Sequence, residues 1–198
     1  MTNFQSIDPT SGEVVWEGAE ASSEQVAAAV QNARSALSDW AMRSRDDRIA
    51  ILKAYQAKLK ERATEIAETI SRETGKALWE TQAEATIMQG KVDISIRAYD
   101  ERTGERSNDT AFGRAVLRHR PHGVAVVLGP FNFPGHLPNG HIVPALLAGD
   151  TVVFKPSEEA PKTGELMVQC LLEAGVPEGV INLVQGGKDV GAALLDQK

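Results

Sequence analysis

Three polar side chains stand just past apolar runs, where a chain most often does its chemistry. Asn132 lies in Gly129-Pro-Phe-Asn-Phe-Pro134, and Lys155 and Glu158 lie in Phe154-Lys-Pro-Ser-Glu158. Two aromatics flank Asn132 and two prolines stand close by, which stiffens its backbone. A carboxamide held in that way can donate a hydrogen bond to an oxygen that is gaining negative charge. Taken alone, Asn132 is better explained as a turn residue, and Lys155 could simply be a strand-end cation that snorkels to water. Cys170 is the single thiol. Its neighbours, Met167-Val-Gln-Cys-Leu-Leu172, put it on the apolar side of a helix, where burial raises a thiol's pKa and makes it inert. His119, His122, His136 and His141 show no metal-ligand spacing and carry no Cys pair with them. Gly186 and Gly191 are spaced like the outer glycines of a P-loop, but no Lys-Ser/Thr pair follows, and the chain has no G-x-G-x-x-G.

The elements that must position these groups are readable from pattern. Val124-Ala-Val-Val-Leu128 has no polar alternation and reads as a strand buried on both faces. Ile142, Val143, Leu146 and Leu147 give a helix that stops at Gly149-Asp150. Thr151-Val-Val-Phe154 is a second strand. Strand, helix, strand in about thirty residues makes a βαβ unit. Ligands of such sheets bind beyond the carboxyl ends of the strands, so Asn132 and Lys155 are expected to open onto one crevice. A further helix over 162–174 and a third strand, Val180-Ile-Asn-Leu-Val184, follow. The turn Gln185-Gly-Gly-Lys188 then leads into a last helix.

Upstream, Ile7 to Trp16 predicts two short strands around a Pro/Gly turn. Ser22 and Gln25 make a capping box for a helix with Val26, Val30, Ala33, Leu37 and Trp40 on one stripe. A single helix over 46–74 is expected to bury Ile49, Leu52, Leu59, Ala63, Ile66 and Ile70. Its interleaved charges read as a solvated face. A third helix, over 76–100, is expected to bury Trp79, Ala83, Ile87, Gly90, Ile94 and Ala98. Residues 102–109 read as a loop. Ala115 to Arg120 reads as an edge strand, with its edge left unpaired and prone to aggregation.

The chain has 198 residues, 42% of them hydrophobic, which is enough for one sizeable core. A net charge of −6 argues against nucleic-acid binding. One cysteine fits a reducing cytoplasm. The first residues show no basic or apolar leader pattern, and no apolar run approaches the ~20 residues a membrane helix needs. There is no internal repeat or low-complexity tract.

At their observed separation, Gly129-Pro-Phe-Asn-Phe-Pro134 and Phe154-Lys-Pro-Ser-Glu158 resemble the aldehyde dehydrogenase superfamily. Leu117-Arg-His-Arg-Pro-His-Gly123 and Gly135-His-Leu-Pro-Asn-Gly-His-Ile-Val-Pro-Ala145 resemble, more narrowly, a branch whose semialdehyde substrate carries carboxylates. The resemblance covers nearly the whole chain and reverses the preference for a mere turn at Asn132. It implies an α/β fold: part of a Rossmann-like, doubly wound parallel sheet, the coenzyme domain of that family, preceded by a layer of long helices. On that reading, residues 1–104 are the helical layer, 105–121 a loop and a β arm for subunit association, and 122–198 a βαβαβα run. Asn132 would stabilise the oxyanion formed when a cysteine attacks an aldehyde. Gly129, Pro130 and Phe131 would line the cofactor channel. Lys155 and Glu158 would hold the adenosine ribose, Ser157 between them would belong to the cofactor-binding set, and Gly186 and Gly187 would let the adenine approach. An acid at Glu158 repels a 2′-phosphate, so the implied cofactor is NAD and not NADP. The partners implied are a small aldehyde, with Arg97, Arg118 and Arg120 as candidates for its carboxylates, and further copies of the chain. The family's nucleophile, general base and pyrophosphate-binding turn come later than residue 198. The expectation is therefore an N-terminal portion that does not turn over alone. Against it stand a complete, non-catalytic nucleotide-binding or association protein, and a sister aldehyde dehydrogenase with another substrate.

Overall fold

The computed structural model describes residues 3–104 and 106–197. The chain opens with an antiparallel hairpin, β1 (Asn3–Ile7) and β2 (Val14–Ala19). Asp8 organises its turn by accepting the Thr10 N–H at 2.8 Å on its side chain and the Gly12 N–H at 2.8 Å on its carbonyl. Helix α1 (Ser23–Met42) starts at the Ser22–Gln25 capping box, with both reciprocal bonds formed. It buries Val26, Val30, Ala33 and Trp40, as its stripe predicts.

The expected helix over 46–74 is two helices, α2 (Arg45–Glu61) and α3 (Ala63–Thr74). The corner is Arg62, which has neither a glycine nor a proline beside it. Its guanidinium pairs with Glu65 at 2.7 Å and Glu173 at 3.4 Å, so a tertiary contact holds the bend. Helix α3 ends on Gly75 in the left-handed conformation (φ +72°). Helix α4 (Leu78–Arg102) follows, and its burial reverses the expected face. Trp79, Ile87 and Ile94 are exposed, at 73%, 47% and 48%, while Thr81, Glu84, Ala85, Met88, Val92 and Ser95 are buried. The helix is apolar on two sides. Its more polar side faces inward because that side must meet the start of another helix.

The segment expected to be a loop contains strand β3 (Arg106–Thr110), and the following strand, β4, runs Gly113–Leu117. They pair antiparallel, so the strand expected to lack a partner has one on one side. Glu105, at the foot of this hairpin, lies outside the described residues. The whole hairpin is exposed.

The rest is the expected α/β unit. Strand β5 (Val124–Leu128), helix α5 (His136–Ala148), strand β6 (Thr151–Lys155), helix α6 (Pro161–Glu173), strand β7 (Ile181–Leu183) and helix α7 (Lys188–Leu195) follow in order. The sheet order is β5-β6-β7, all parallel. Helix α5 ends in a glycine cap: Gly149 has φ +99°, and the Asp150 N–H donates to the Ala145 carbonyl at 3.0 Å. Alternation along β6 separates two cores. Val152 and Phe154 pack with residues of α5 and α6, whereas Val153 packs with Val26, Val30, Val190 and Leu194 of α1 and α7. Helices therefore cover both faces of β6, which is buried at all five positions, whereas β5, expected to be buried on both faces, is an edge strand that leaves Val126 and Leu128 exposed. Among the described residues no helix is long and apolar enough to cross a membrane.

Candidate active site

Strands β5 and β6 end together. Leu128 sits opposite Lys155 in the ladder, and the Gly129 N–H closes it by donating to the Lys155 carbonyl at 2.7 Å. A Cβ at Gly129 would stand 3.1 Å from both the Phe154 ring and the Pro156 backbone, so any larger residue would have to push the two ends apart by a few tenths of an ångström. From there the turn runs through Pro130 to the start of α5. Pro134 and Gly135 are buried, and Phe131, Asn132 and Phe133 are exposed. The Asn132 carboxamide makes no hydrogen bond with the described residues.

Lys155 points to the α7 face, where a Cβ on Gly191 would touch its stem at 3.6 Å. Its Nζ is only 6% exposed by residue and donates to the Gly186 carbonyl at 2.6 Å and the Pro156 carbonyl at 2.8 Å. The Glu158 carboxylate lies 3.5 Å away. Burial pushes the lysine's pKa down, and Glu158 opposes that. The Gly187 N–H donates to Glu20 Oε1 at 3.1 Å, and a Cβ on Gly187 would stand 4.0 Å from Glu158. Lys155, Glu158, Gly186 and Gly187 thus converge at the strand ends. An ammonium beside a half-exposed carboxylate, over glycines, offers a donor and an acceptor to a vicinal diol. Glu20 joins this group without having been expected. Its only signal in the sequence is that it precedes the Ser22 cap. Ser157 is buried, and its Oγ accepts the Glu159 N–H at 3.2 Å, which shapes the turn.

The other candidates lie elsewhere. Arg97 is exposed on α4, and Arg118 and Arg120 are exposed beyond β4. Two unexpected cations lie instead against the Asn132 turn and the first half of α5, while Arg48 donates to the Leu147 carbonyl at the helix's far end at 3.0 Å. Lys76 Nζ lies 3.8 Å from the Phe133 ring centroid. The Lys91 side chain lies across Gly140, 3.4 Å from where a Cβ would stand. His136 and His141 are on α5, and burial, then Lys91, lowers the pKa of His136. Cys170 is fully buried on α6, and burial pushes its thiol up to about 11 even though Arg62 is a cationic neighbour. Among the described residues no three metal-ligating side chains gather. An open concavity of ≈ 660 Å³ runs along the outer edge of β7 between α1 and α6. It is lined by residues such as Ala28, Asn32 and Val168 and contains none of the residues at the ends of β5 and β6.

This arrangement of fold and strand ends is found in known proteins. Residues 1–198 match the aldehyde dehydrogenase family, and the chain belongs to that family. It is 69% identical over 193 residues to an N-succinylglutamate 5-semialdehyde dehydrogenase of Caulobacter sp. (strain K31), covering 98% of this chain and 40% of the relative. It is 60% identical over 191 residues to the enzyme of that name from Ectopseudomonas mendocina, covering 96% and 39%. The chain thus spans about 40% of the length of these curated relatives. Among solved structures, an aldehyde dehydrogenase from Brucella melitensis biovar abortus 2308 superimposes with a TM-score of 0.94 at 26% identity, over 99% of this chain and 41% of that one. An NADP-dependent glyceraldehyde-3-phosphate dehydrogenase from Bacillus halodurans, complexed with NADP, gives 0.89 at 30% identity, over 99% and 43%.

Proposed function

We propose that this chain is the N-terminal, dinucleotide-binding portion of a longer NAD-dependent aldehyde dehydrogenase. Its substrate would be N-succinylglutamate 5-semialdehyde, oxidised to N-succinylglutamate in arginine catabolism in the cytoplasm. The observation that carries this reading is the shared end of β5 and β6, which puts the Asn132 turn and the Lys155–Glu158 pair on one rim. Identity to relatives of that name supports the substrate. Asn132, exposed and without a hydrogen-bond partner, would donate to the oxyanion of the tetrahedral adduct. Lys155 and Glu158 would hold the adenosine ribose, Ser157 would shape the turn between them, and Gly186 and Gly187 would admit the adenine. Gly129, Pro130 and Phe131 would line the channel. NAD, when bound, supplies the electron acceptor. Nucleophile and general base would come from the remaining polypeptide, so the 198-residue chain alone would not turn over. The full-length protein would associate as a dimer or higher, with the exposed β3–β4 hairpin as an arm.

The experiment is kinetic. In the full-length polypeptide, Asn132→Ala should lower kcat by about 10²–10³, the usual cost of losing one oxyanion donor, with the KM for NAD little changed. Glu158→Gln should narrow the preference for NAD over NADP by about tenfold, equivalent to roughly 1.4 kcal/mol. Turnover of the semialdehyde by the 198-residue chain alone, or an unchanged kcat for Asn132→Ala, would overturn the reading.

A further inference from the structure

Asn132 is held by nothing of its own, so its direction depends on the backbone to either side. On the β5 side, Gly129 is bonded to Lys155. On the α5 side, the hold comes from α4. Glu84, 1% exposed, accepts the N–H groups of Gly135 and His136, both at 3.0 Å on Oε1. Its Oε2 takes Lys76 Nζ at 3.3 Å, and that same ammonium lies over the Phe133 ring. The turn is also pressed against α4 more closely than a side chain would allow: a Cβ on Gly135 would stand 2.5 Å from Met88 Sδ. Gly135 and His136 are thus gripped from α4 and Phe133 from Lys76, just before that helix begins, and Pro134 between them has a fixed φ.

We infer that Glu84, acting with Lys76, is a positioning residue that fixes the turn carrying Asn132. This rests on the reading of Asn132 as an oxyanion donor. Glu84 itself touches no reacting atom. It sets the angle at which α5 begins, and that sets where the asparagine's amide points. A displacement of about 1 Å at such a donor can cost on the order of a hundredfold in rate.

Amide hydrogen exchange on the full-length polypeptide gives a readout independent of catalysis. Glu84→Ala should speed exchange at Gly135 and His136 by at least tenfold. The Lys162 and Thr163 amides, held by a different acid, should stay within twofold. In the full-length polypeptide, Glu84→Ala should lower kcat by tenfold to a hundredfold with the KM for NAD within twofold. Glu84→Gln, which keeps an acceptor oxygen, should restore kcat to within about threefold of the parent. If Glu84→Ala does not fold, Glu84→Asp, which pulls the carboxylate back by one methylene, should still lower kcat about tenfold. A kcat within twofold of the parent in the folded Ala or Asp variant, while Asn132→Ala loses a hundredfold, would overturn the inference. An unaffected Asn132→Ala would instead overturn the oxyanion reading on which it rests.

Discussion

Glu73 and Glu84 do the same job by different means. Each is a buried acid, 5% and 1% exposed, and each caps the start of a helix far from it in sequence. Helices α5 and α6 need this because their own N-cap residues, Gly135 and Ala160, have no side-chain acceptor. The first backbone N–H groups of a helix must find partners somewhere, and an acid placed there also meets the positive end of the helix. At α6, Glu73 accepts four hydrogen bonds: Ser6 Oγ at 2.9 Å, Lys162 N at 2.8 Å, Thr163 N at 2.9 Å and Thr163 Oγ1 at 2.7 Å. No cation is among them. At α5, Glu84 accepts two backbone bonds and a lysine. The neutral solution ties β1, α3 and α6 together; it shares a concavity with Phe131, but none of its hydrogen bonds goes to the Asn132 turn. The ion-paired one sits beside the candidate oxyanion donor. The difference separates a purely architectural cap from one whose partner, Lys76, also touches the functional turn.

The comparison breaks first at Glu73. Glu73→Ala leaves two backbone N–H groups without a partner in a buried place, where each unsatisfied donor costs about 1–3 kcal/mol. The two hydroxyls can turn to other acceptors. A loss of about 3 kcal/mol is expected, roughly 10 °C in Tm for a domain of this size, read by thermal unfolding of the 198-residue chain. Glu84→Ala orphans two N–H groups as well, but its lysine can move to Glu80, 3.8 Å away, or to water. A smaller loss, about 2 kcal/mol, is expected. A Glu84→Ala loss greater than that of Glu73→Ala would mean that the ion pair carries α5 more than hydrogen bonding does.

The neutral shell of Glu73 has a consequence in pH. Burial raises its pKa above the ordinary 4.5, even though its four hydrogen bonds pull the other way. The folded chain therefore holds this proton more tightly than the unfolded chain does. The stabilisation is full below pH 4.5 and is lost as pH rises through the folded value. The Tm of the parent minus that of Glu73→Gln should shrink as pH climbs from 4 to 7. A difference that grows over that interval would show that the hydrogen bonds, and not burial, set the titration.

Neither acid was visible in the sequence as a cap. Both fall inside helical segments, where a glutamate reads as a solvated surface charge, and the backbone N–H groups they cap lie 51 to 90 residues downstream. The same blindness reversed α4. Trp79, Ile87 and Ile94 make the stronger apolar stripe, but the face that packs is the one that brings Glu84 and Met88 to α5. Nor did the sequence show the break at Arg62, since a salt-bridged corner leaves no glycine or proline behind. What was legible is whatever local chemistry decides: the Ser22 capping box, the glycine ends of α3 and α5, and the unbroken apolar runs of β5 and β6. That β5 and β6 end side by side followed from those runs, because parallel strands with a helix between them must end on the same side. The identity of their neighbours, Glu20, Lys76, Glu84 and Lys91, did not, because each arrives from another part of the chain.

Lys76 gives the finest test of the two-cap comparison. Its side chain is 16% exposed, reaching Glu84 at 3.3 Å and the Phe133 ring at 3.8 Å. Lys76→Met keeps the aliphatic stem and both N–H bonds to Glu84 and removes only the charge. A partly exposed cation–π contact is worth about 0.5–1 kcal/mol, and an ion pair open to solvent on one side about as much or less. Part of that returns when water reaches the carboxylate, so the expected loss is about 1 kcal/mol. The effect should be local: the NMR signals of Phe133 and His136 should move while those of Lys162 and Thr163 do not. If instead the loss reached that of Glu84→Ala, the lysine would be the cap's principal support, and the two backbone bonds would depend on it. If there were no loss and no shift at Phe133, Glu84 would be a second Glu73, an architectural acid whose cation merely happens to lie near the turn.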